Sequence, residues 1–298
     1  MPRSAWTREQ MADQDGRRFV ITGATGGLGL ELTRALAVAG AEVVMAVRNM
    51  ARGQEAAERV RRTGARGRVE VRWLDVSDLG SVHAFASNLD RVDVLVNNAG
   101  IMAVPASRTV DGFETQIATN HLGHFALTNL LLPKLGDRVV AVSSASHRSA
   151  DIDVDDLDFA RRGYSAYAAY AQSKLANLLF VAELQRRLDA NGSALRATAA
   201  HPGYTATGIQ GGTGSRAFTR LSDLGNALIG MKPSQGALPI LYAATADLAG
   251  NSYAGPGGPG GLFGGPTLVG RSPTANDPDL ATRLWQKSES LTGVEFPL

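Results

Sequence analysis

The chain has 298 residues, of which 44% are hydrophobic, carries a formal net charge of +2 and contains no cysteine. This length and apolar content suffice for a large buried core, and the nearly balanced charge argues against nucleic acid as a partner. The lack of cysteine excludes disulfides, thiol nucleophiles and thiolate metal sites. No apolar run approaches the roughly 20 residues of a membrane span, and the N-terminus lacks the apolar core of a signal peptide. We therefore expect a cytoplasmic protein without a membrane anchor.

Short runs of β-branched residues alternate with helical patterns along the chain. In chain order, strands are predicted at 17–22, 41–47, 67–76, 92–98, 138–144 and 194–203, and helices at 28–40, 51–64, 112–135, 167–188 and 277–291. Such regular alternation indicates a parallel sheet with helices on both faces, and strands that are apolar on both sides are typical of it. The sequence predicts an α/β fold, a doubly wound Rossmann fold that forms one domain over residues 1–298.

Two segments interrupt the alternation. Residues 203–231 begin as a Gly/Thr-rich loop and become weakly amphipathic, and we expect them to close over a substrate. Their apolar members favour a hydrophobic substrate: Ile209, Phe218, Leu221, Leu224 and Ile229. Residues 253–270 are rich in glycine and proline, a composition that argues against a helix. The acidic run 151–158 lacks the glycine and glutamate of a calcium loop, so a solvated loop is expected there.

A glycine-rich turn lies between the first strand and the first helix. Gly23, Gly26 and Gly29 fit the spacing of sugar-nucleotide epimerases, whereas Gly23, Gly27 and Gly29 fit that of shorter dehydrogenases. With either spacing, the backbone can approach a pyrophosphate, and the N–H groups and dipole of the helix favour its negative charge. The strand–turn–helix context predicts a dinucleotide site, but the loop alone does not decide between the two spacings.

The residues that follow the second strand indicate which dinucleotide binds. NAD enzymes often place an acidic residue there to hold the ribose hydroxyls. No acidic residue occurs between Glu42 and Glu55, whereas Arg48 and Arg52 do. An arginine at this position can pair with a 2′-phosphate, which favours NADP(H) over NAD(H). Asp75, at the end of the third strand, is expected to contact the adenine.

A candidate pair for proton transfer lies on the long helix after the fifth strand. Tyr170 and Lys174 are four residues apart, so they share one helix face. A nearby ammonium lowers the pKa of a phenol, which is otherwise about 10, and the tyrosine can then exchange a proton with a carbonyl or alcohol oxygen. The fifth strand ends in Ser143 and Ser144, whose hydroxyls can bond the same oxygen. Asn120 lies in the helix after the fourth strand.

Six motifs follow one another along the chain: TGATGGLG, NNAG, NHLGHF, VSS, YAQSKLAN and HPGYTAT. Together they resemble the short-chain dehydrogenase/reductase family, most closely its retinol-dehydrogenase-like branch, over nearly the whole chain. NNAG and the chain length fit the second glycine spacing. The resemblance implies that Tyr170 is the acid/base and that Lys174 lowers its pKa and holds the nicotinamide ribose. It also implies that Ser144 orients the substrate and that Asn120 holds a water in the proton relay to Lys174.

The resemblance also implies a set of cofactor-binding residues. These are Gly23, Gly27, Leu28, Gly29, Arg48, Asp75, Val76, Asn97, Ala99, Gly100, Tyr170, Lys174, Pro202, Gly203 and Thr207. Membrane-bound relatives in that branch begin with an apolar anchor, and none is evident here, which argues against a retinoid substrate. Members of the family often form dimers or tetramers through their two long helices, so a homodimer or homotetramer is expected.

The expected function is an NADP(H)-dependent oxidoreductase that interconverts a carbonyl and an alcohol on a small to medium hydrophobic substrate. A regulator that senses NADP(H) without turnover is one alternative, although such proteins usually lose the tyrosine or the lysine. An epimerase of the extended branch is another, but NNAG and the short region after the sixth strand disfavour it. His121 and His124 share a helix face without an evident third ligand, so packing or hydrogen bonding is expected rather than metal binding.

Overall fold

The computed structural model describes residues 6–204 and 231–298, and within them eight strands form one sheet. The strands are β1 Arg18–Thr22, β2 Glu42–Val47, β3 Val69–Trp73, β4 Val92–Asn97, β5 Leu135–Val142, β6 Arg196–Ala200, β7 Tyr253–Pro256 and β8 Pro266–Leu268. Their order across the sheet is β3-β2-β1-β4-β5-β6-β7-β8, and every neighbouring pair is parallel except β7 and β8. The order reverses between β1 and β4, and ligands bind at the carboxyl ends of strands at such a point.

The strands alternate with helices on both faces of the sheet. The helices in the described residues are α1 Gly27–Val38, α2 Met50–Arg61, α3 Leu79–Ser87, α4 Thr115–Ile117, α5 Gly123–Leu131, α6 Ala166–Ala190, α7 Pro233–Gly236, α8 Leu238–Thr245 and α9 Pro278–Thr292. A π-helical turn, Ala118–Leu122, joins α4 to α5. Polar side chains cap several N-termini, as Asn49 does for α2 and Ser165 for α6, each accepting a hydrogen bond from a backbone N–H of the first turn.

The two faces of the sheet carry separate apolar layers, because neighbouring residues of a strand point to opposite sides. In β1, Val20 packs with residues of α3, α5 and α6, whereas Phe19 and Ile21 pack with residues of α1, α2 and α8. All three side chains have no exposed surface. The predicted doubly wound Rossmann fold with helices on both faces is therefore confirmed.

Several elements differ from the sequence prediction. The predicted helix 112–135 is four consecutive helical pieces that begin at Thr115, the last of them a 3-10 turn, Leu132–Lys134, and Leu135 already belongs to β5. The helices α3, α7 and α8 were not predicted. The Gly/Pro-rich segment 253–270 holds the last two strands, β7 and β8. It was expected to contain no helix, but residues Pro259–Gly261 form one 3-10 turn. Gly260 and Gly261 take positive φ angles of 65° and 68°, which glycine adopts without a steric cost.

The C-terminal helix α9 packs on α6 and α5. Trp285, which is 1% exposed, stacks on Phe180 with 5.7 Å between ring centroids and meets Phe125 edge-on at 4.8 Å. His121 shares a hydrogen bond of 2.9 Å with the hydroxyl of Ser288. The helix α9 thus covers part of the surface of α5 and α6, the two long helices that were expected to mediate self-association.

The acidic run 151–158 is not wholly solvated. Asp156 is 4% exposed, and its Oδ1 accepts hydrogen bonds from the backbone N–H groups of Ala160 and Arg161. Its carboxylate also lies 3.4 Å from Arg162. Asp156 therefore closes a tight turn, whereas the neighbouring Asp155 stays exposed. Among the described helices, none is long and apolar enough to cross a membrane.

Candidate active site

A cleft of about 1270 Å³ lies at the carboxyl ends of the parallel strands. Most of the residues predicted for the site line it: Gly23, Gly27, Leu28, Gly29, Arg48, Asp75, Val76, Ala99, Gly100, Ser144, Tyr170, Lys174, Pro202 and Gly203. Asn97 and Asn120 do not line it. Thr207 and most of the segment 203–231, with its five apolar residues, lie outside the described residues.

The glycine-rich turn has the shape that a pyrophosphate requires. Gly23 and Gly27 have positive φ angles of 68° and 52°, a conformation that favours glycine. A Cβ atom on Gly29 would lie 2.5 Å from the carbonyl oxygen of Gly23, so only glycine allows α1 to pack this closely against the turn. Gly26 caps α1 and faces open space, and the first turn of α1 carries no acidic residue. The N–H groups of α1 can therefore hold phosphate oxygens, so these residues fit a dinucleotide.

Thr22 fastens the NNAG loop to the end of β1. Its hydroxyl oxygen accepts hydrogen bonds from the backbone N–H groups of Asn98 and Ala99, both at 2.9 Å. It also lies 2.9 Å from His124 Nε2, a fully buried ring nitrogen. Burial lowers the pKa of His124 to about 3, so the ring is neutral and can accept the proton of the Thr22 hydroxyl. His124 is thus held by hydrogen bonds within the protein, in line with the sequence prediction.

The adenosine end of the cleft carries Arg48, Arg52 and Asp75. The side chain of Arg48 is 76% exposed, and its Nη1 lies 3.9 Å from Asp75 Oδ2. Ser77 donates hydrogen bonds to Asp75 Oδ1 from its backbone N–H and its hydroxyl, at 2.9 and 2.6 Å. The carboxylate of Asp75 is therefore fixed, whereas the Arg48 guanidinium is largely hydrated and free to meet a phosphate group.

Asn120 lies in the π-helical turn, fully buried behind the cleft. Its side chain exchanges two hydrogen bonds of 2.9 Å with the backbone of Ile101 and donates a third to the hydroxyl of Ser173. The backbone carbonyl of Asn120 lies 3.3 Å from His124 Nδ1. The side chain thus fastens the loop after β4 to the helix that follows it. The water that Asn120 is expected to hold in the proton relay stays a prediction.

Tyr170 and Lys174 share one side of α6 and line the cleft. The ammonium nitrogen of Lys174 lies 5.6 Å from the centroid of the Tyr170 ring and donates a hydrogen bond of 3.1 Å to the carbonyl of Val142. Burial lowers the pKa of Lys174 to about 8. Burial also raises the pKa of Tyr170, and a hydrogen bond with Ser144 only partly offsets this effect. Without a bound cofactor, the pKa of Tyr170 is therefore raised by burial, whereas the sequence predicted that Lys174 would lower it.

The two serines at the end of β5 have different surroundings. Ser143 is 2% exposed and donates a hydrogen bond of 2.7 Å to the carbonyl of Lys174. Ser144 begins a 3-10 helix, Ala145–Ser149, and its Oγ accepts a hydrogen bond of 3.2 Å from the Ser146 N–H. An interaction with the Ser144 hydroxyl also acts to lower the pKa of Tyr170. Ser144 is thus the less buried of the two and lies beside Tyr170, and its role in orienting a substrate stays a prediction.

The sequence prediction named Asn97, but Asn98 is the asparagine that lines the cleft. Asn97 is 2% exposed, and its amide donates a hydrogen bond of 2.9 Å to the hydroxyl of Thr128 in α5. Alternation along β4 would have indicated this, because Asn97 shares the face of Leu95, which packs with α3, α5 and α6. The Asn98 amide donates a hydrogen bond of 2.8 Å to the carbonyl of Thr22.

Leu262 in the far wall of the cleft, and His201 next to that wall but not lining it, were missed by the sequence reasoning. Leu262 lines the cleft, and a Cβ atom on Gly203 would lie 2.4 Å from the Leu262 carbonyl oxygen. His201 packs so closely on β7 that a Cβ atom on Gly255 would lie 2.1 Å from its Nε2. Burial lowers the pKa of His201 to about 4, so the ring is neutral. The HPG motif was the available signal for His201, but the neighbouring strand β7 was not predicted because it contains a glycine and a proline.

The chain is similar to known dehydrogenases along most of its length. A family model described as short chain dehydrogenase matches residues 17–217. Retinol dehydrogenase 13 of Homo sapiens is 40% identical over 294 residues, which cover 95% of this chain and 86% of that protein. Polyprenol dehydrogenase of Mus musculus is 40% identical over 299 residues, which cover 94% of this chain and 85% of that protein.

One solved structure, of an uncharacterised protein from Mycobacterium paratuberculosis, resembles the whole chain. Its TM-score is 0.86 at 50% sequence identity, and the match covers 99% of this chain and 100% of the other. The likeness therefore extends over the Gly/Pro-rich segment and the C-terminal helix as well as the sheet.

Proposed function

Because the chain belongs to the short-chain dehydrogenase family, whose members are oxidoreductases that use nicotinamide cofactors, we propose that it is an NADP(H)-dependent oxidoreductase. It interconverts a ketone or aldehyde and the corresponding alcohol on a small to medium hydrophobic substrate. One observation carries this proposal: the glycine-rich turn and the group formed by Ser144, Tyr170 and Lys174 line the same cleft. A dinucleotide bound at the turn can thus reach a substrate held at the three side chains.

In this proposal Tyr170 is the general acid in reduction and the general base in oxidation. Its phenol lies 92% buried next to Ser144, so a carbonyl oxygen bound there is shielded from water. Ser144 donates a hydrogen bond that orients this oxygen. Lys174, charged at neutral pH, stabilises the phenolate that remains after Tyr170 gives up its proton. Asn120 keeps the loop after β4 in place and holds a water in the proton relay to Lys174.

The cofactor-binding residues divide into three groups. The turn from Gly23 to Gly29 holds the pyrophosphate, Arg48 pairs with the 2′-phosphate, and Asp75 with Val76 contacts the adenine. Residues 99–100 and 202–203, together with Lys174, surround the nicotinamide ribose and ring; Thr207 is assigned to this group from the sequence alone. When bound, the dinucleotide supplies or accepts the hydride, while the protein positions and polarises the substrate.

The substrate class rests on the lining of the cleft and on the relatives. Ile101, Met102, Val104 and Leu262 give the substrate end an apolar surface. The two curated relatives described above are named for retinol and polyprenol, both of them apolar alcohols. An apolar aldehyde or ketone therefore fits this chain.

Oxidation of NADPH in the presence of apolar aldehydes and ketones tests the proposal. We expect turnover of at least one straight-chain or branched carbonyl compound, faster with NADPH than with NADH at equal concentration. Absence of turnover with every carbonyl, together with absence of alcohol oxidation with either NADP⁺ or NAD⁺, would show that the chain is not an oxidoreductase of this class.

A further inference from the structure

Charged groups are distributed unevenly along the cleft. Among the described residues that line it, Arg48, Arg52, Arg148 and Lys174 are cationic, and Asp75 is the carboxylate. Asp75 lies at the adenosine end with the first two arginines, and Lys174 belongs to the proposed catalytic group. Arg148 at the substrate end is therefore a cation that the proposed function does not use.

The position of Arg148 is fixed close to the proposed site of reaction. It lies in the 3-10 helix that begins directly after Ser144. Its Nη2 donates a hydrogen bond of 2.6 Å to the carbonyl of Gly270, a backbone contact that orients the guanidinium without neutralising it. Within residues 6–204 and 231–298 no carboxylate pairs with Arg148. Ser146 and Ser149 line the cleft on either side of it and add hydroxyl donors.

A second cation strengthens the positive potential of this wall. Arg271 stacks over the ring of Tyr253 at 5.7 Å and donates a hydrogen bond of 2.6 Å to the carbonyl of Asn251. Its Nη1 is buried without a hydrogen-bond partner, and no carboxylate pairs with it in the described part of the chain. The positive charges of Arg148 and Arg271 both act on His147, lowering its pKa beyond the effect of burial. Among the described residues, no acidic group acts on His147 in return.

We propose that Arg148 binds an anionic group, a carboxylate, on the substrate, so that the substrate is an apolar carbonyl compound with a charged end. This inference rests on the proposed function and specifies its substrate. A guanidinium presents N–H donors in a planar fork that matches a carboxylate. The apolar body of the substrate then lies against Met102, Val104 and Leu262, which line the same cleft. A neutral carbonyl compound of equal length lacks the charged contact and binds more weakly.

The test compares two ligands that differ in charge but hardly in size: 9-oxononanoate and its methyl ester. Turnover of both is measured with NADPH. Binding is measured separately by calorimetry with nonanoate and methyl nonanoate, which carry no reducible aldehyde, on protein saturated with NADP⁺. The variant is Arg148→Gln, and the matched control is Arg108→Gln. Arg108 is also exposed and also donates to a glycine carbonyl, that of Gly112 at 2.5 Å; unlike Arg148 it lies 3.5 Å from the carboxylate of Asp158, and it does not line the cleft.

We expect the wild type and Arg108→Gln to prefer the acid by about tenfold in KM and Kd, the low end for a charged hydrogen bond because Arg148 is exposed. Arg148→Gln should lose this preference and keep its affinity for the ester and for NADPH. Equal affinity of the wild type for acid and ester overturns the proposal, as does a preference that survives Arg148→Gln. A lower NADPH affinity of Arg148→Gln would assign Arg148 to the cofactor instead and also overturn it.

The two proposals fail in different ways. If nonanoate binding depends on Arg148 but no carbonyl compound is reduced, the anion site stands and the oxidoreductase function falls. If both aldehydes are reduced with equal KM, the function stands and the anion site falls.

Discussion

Replacement of Arg48 by glutamine should remove most of the preference for NADPH over NADH. The side chain is 76% exposed and has one weak ionic contact, 3.9 Å from Asp75, so little structure depends on it. A hydrogen bond to a charged group contributes about 1.5–3 kcal/mol, and the exposure of Arg48 places the effect near the lower value. At 1.4 kcal/mol per factor of ten, the Kd of NADPH should rise about tenfold. The Kd of NADH, which has no 2′-phosphate, should change less than about twofold.

The assay is a pair of fluorescence titrations with NADPH and NADH at one fixed ionic strength, because salt screens the contribution of an exposed charge. Arg59→Gln is the matched control, since Arg59 is exposed on α2, carries the same charge and does not line the cleft. It should leave both dissociation constants unchanged. An unchanged ratio of the two constants in Arg48→Gln would refute the assignment of Arg48 to the 2′-phosphate.

Three further predictions concern the phosphate loop, the pH dependence and the core. Gly29→Ala should weaken NADPH binding at least about tenfold and lower the Tm, because its Cβ atom would lie 2.5 Å from a backbone oxygen. Gly163 has open space around it, so Gly163→Ala should leave both the titration and the melting curve unchanged. The kcat/KM for carbonyl reduction should fall as the pH rises through about 8, because Lys174 then loses its proton while Tyr170 keeps its own; a pH profile that stays level to pH 10 would contradict this. Trp285→Ala should reduce the free energy of unfolding by about 3–5 kcal/mol in urea titrations. Arg283 lies on the exposed side of the same helix, so Arg283→Ala should reduce it by less than about 0.5 kcal/mol. Equal losses in the two variants would contradict the packing of α9 on α6.

The first six strands were predictable from their short runs of β-branched or small apolar residues, which in β2 are buried on both faces from Val43 to Val47. The last two strands were not. β7 contains one glycine and one proline in four residues, and it is a strand because β6 and β8 pair with it. Local composition carries no trace of those partners, so a sequence-based prediction assigns such a segment to a loop.

The sequence allowed us to predict which residues form the candidate site, but not the pKa values of their side chains. The spacing of Tyr170 and Lys174 is a local property of a helix, so their common face follows from the sequence alone. Their pKa values depend on burial, and Lys174 contacts β5 and the loop after β4, which come from distant parts of the chain. The sequence predicted a lowered pKa for Tyr170, whereas its burial to 8% exposure raises that pKa. Contacts between distant residues decide such effects.

The most direct test of the account is Tyr170→Phe, measured for NADPH binding and for carbonyl reduction in the same preparation. Phenylalanine keeps the ring on α6 but removes the hydroxyl that transfers the proton. General acid catalysis contributes about 10²–10⁴-fold, so turnover should fall by at least about a hundredfold while the Kd of NADPH stays within about twofold of the wild type. Turnover close to that of the wild type would contradict the role of Tyr170 and, with it, the proposed mechanism.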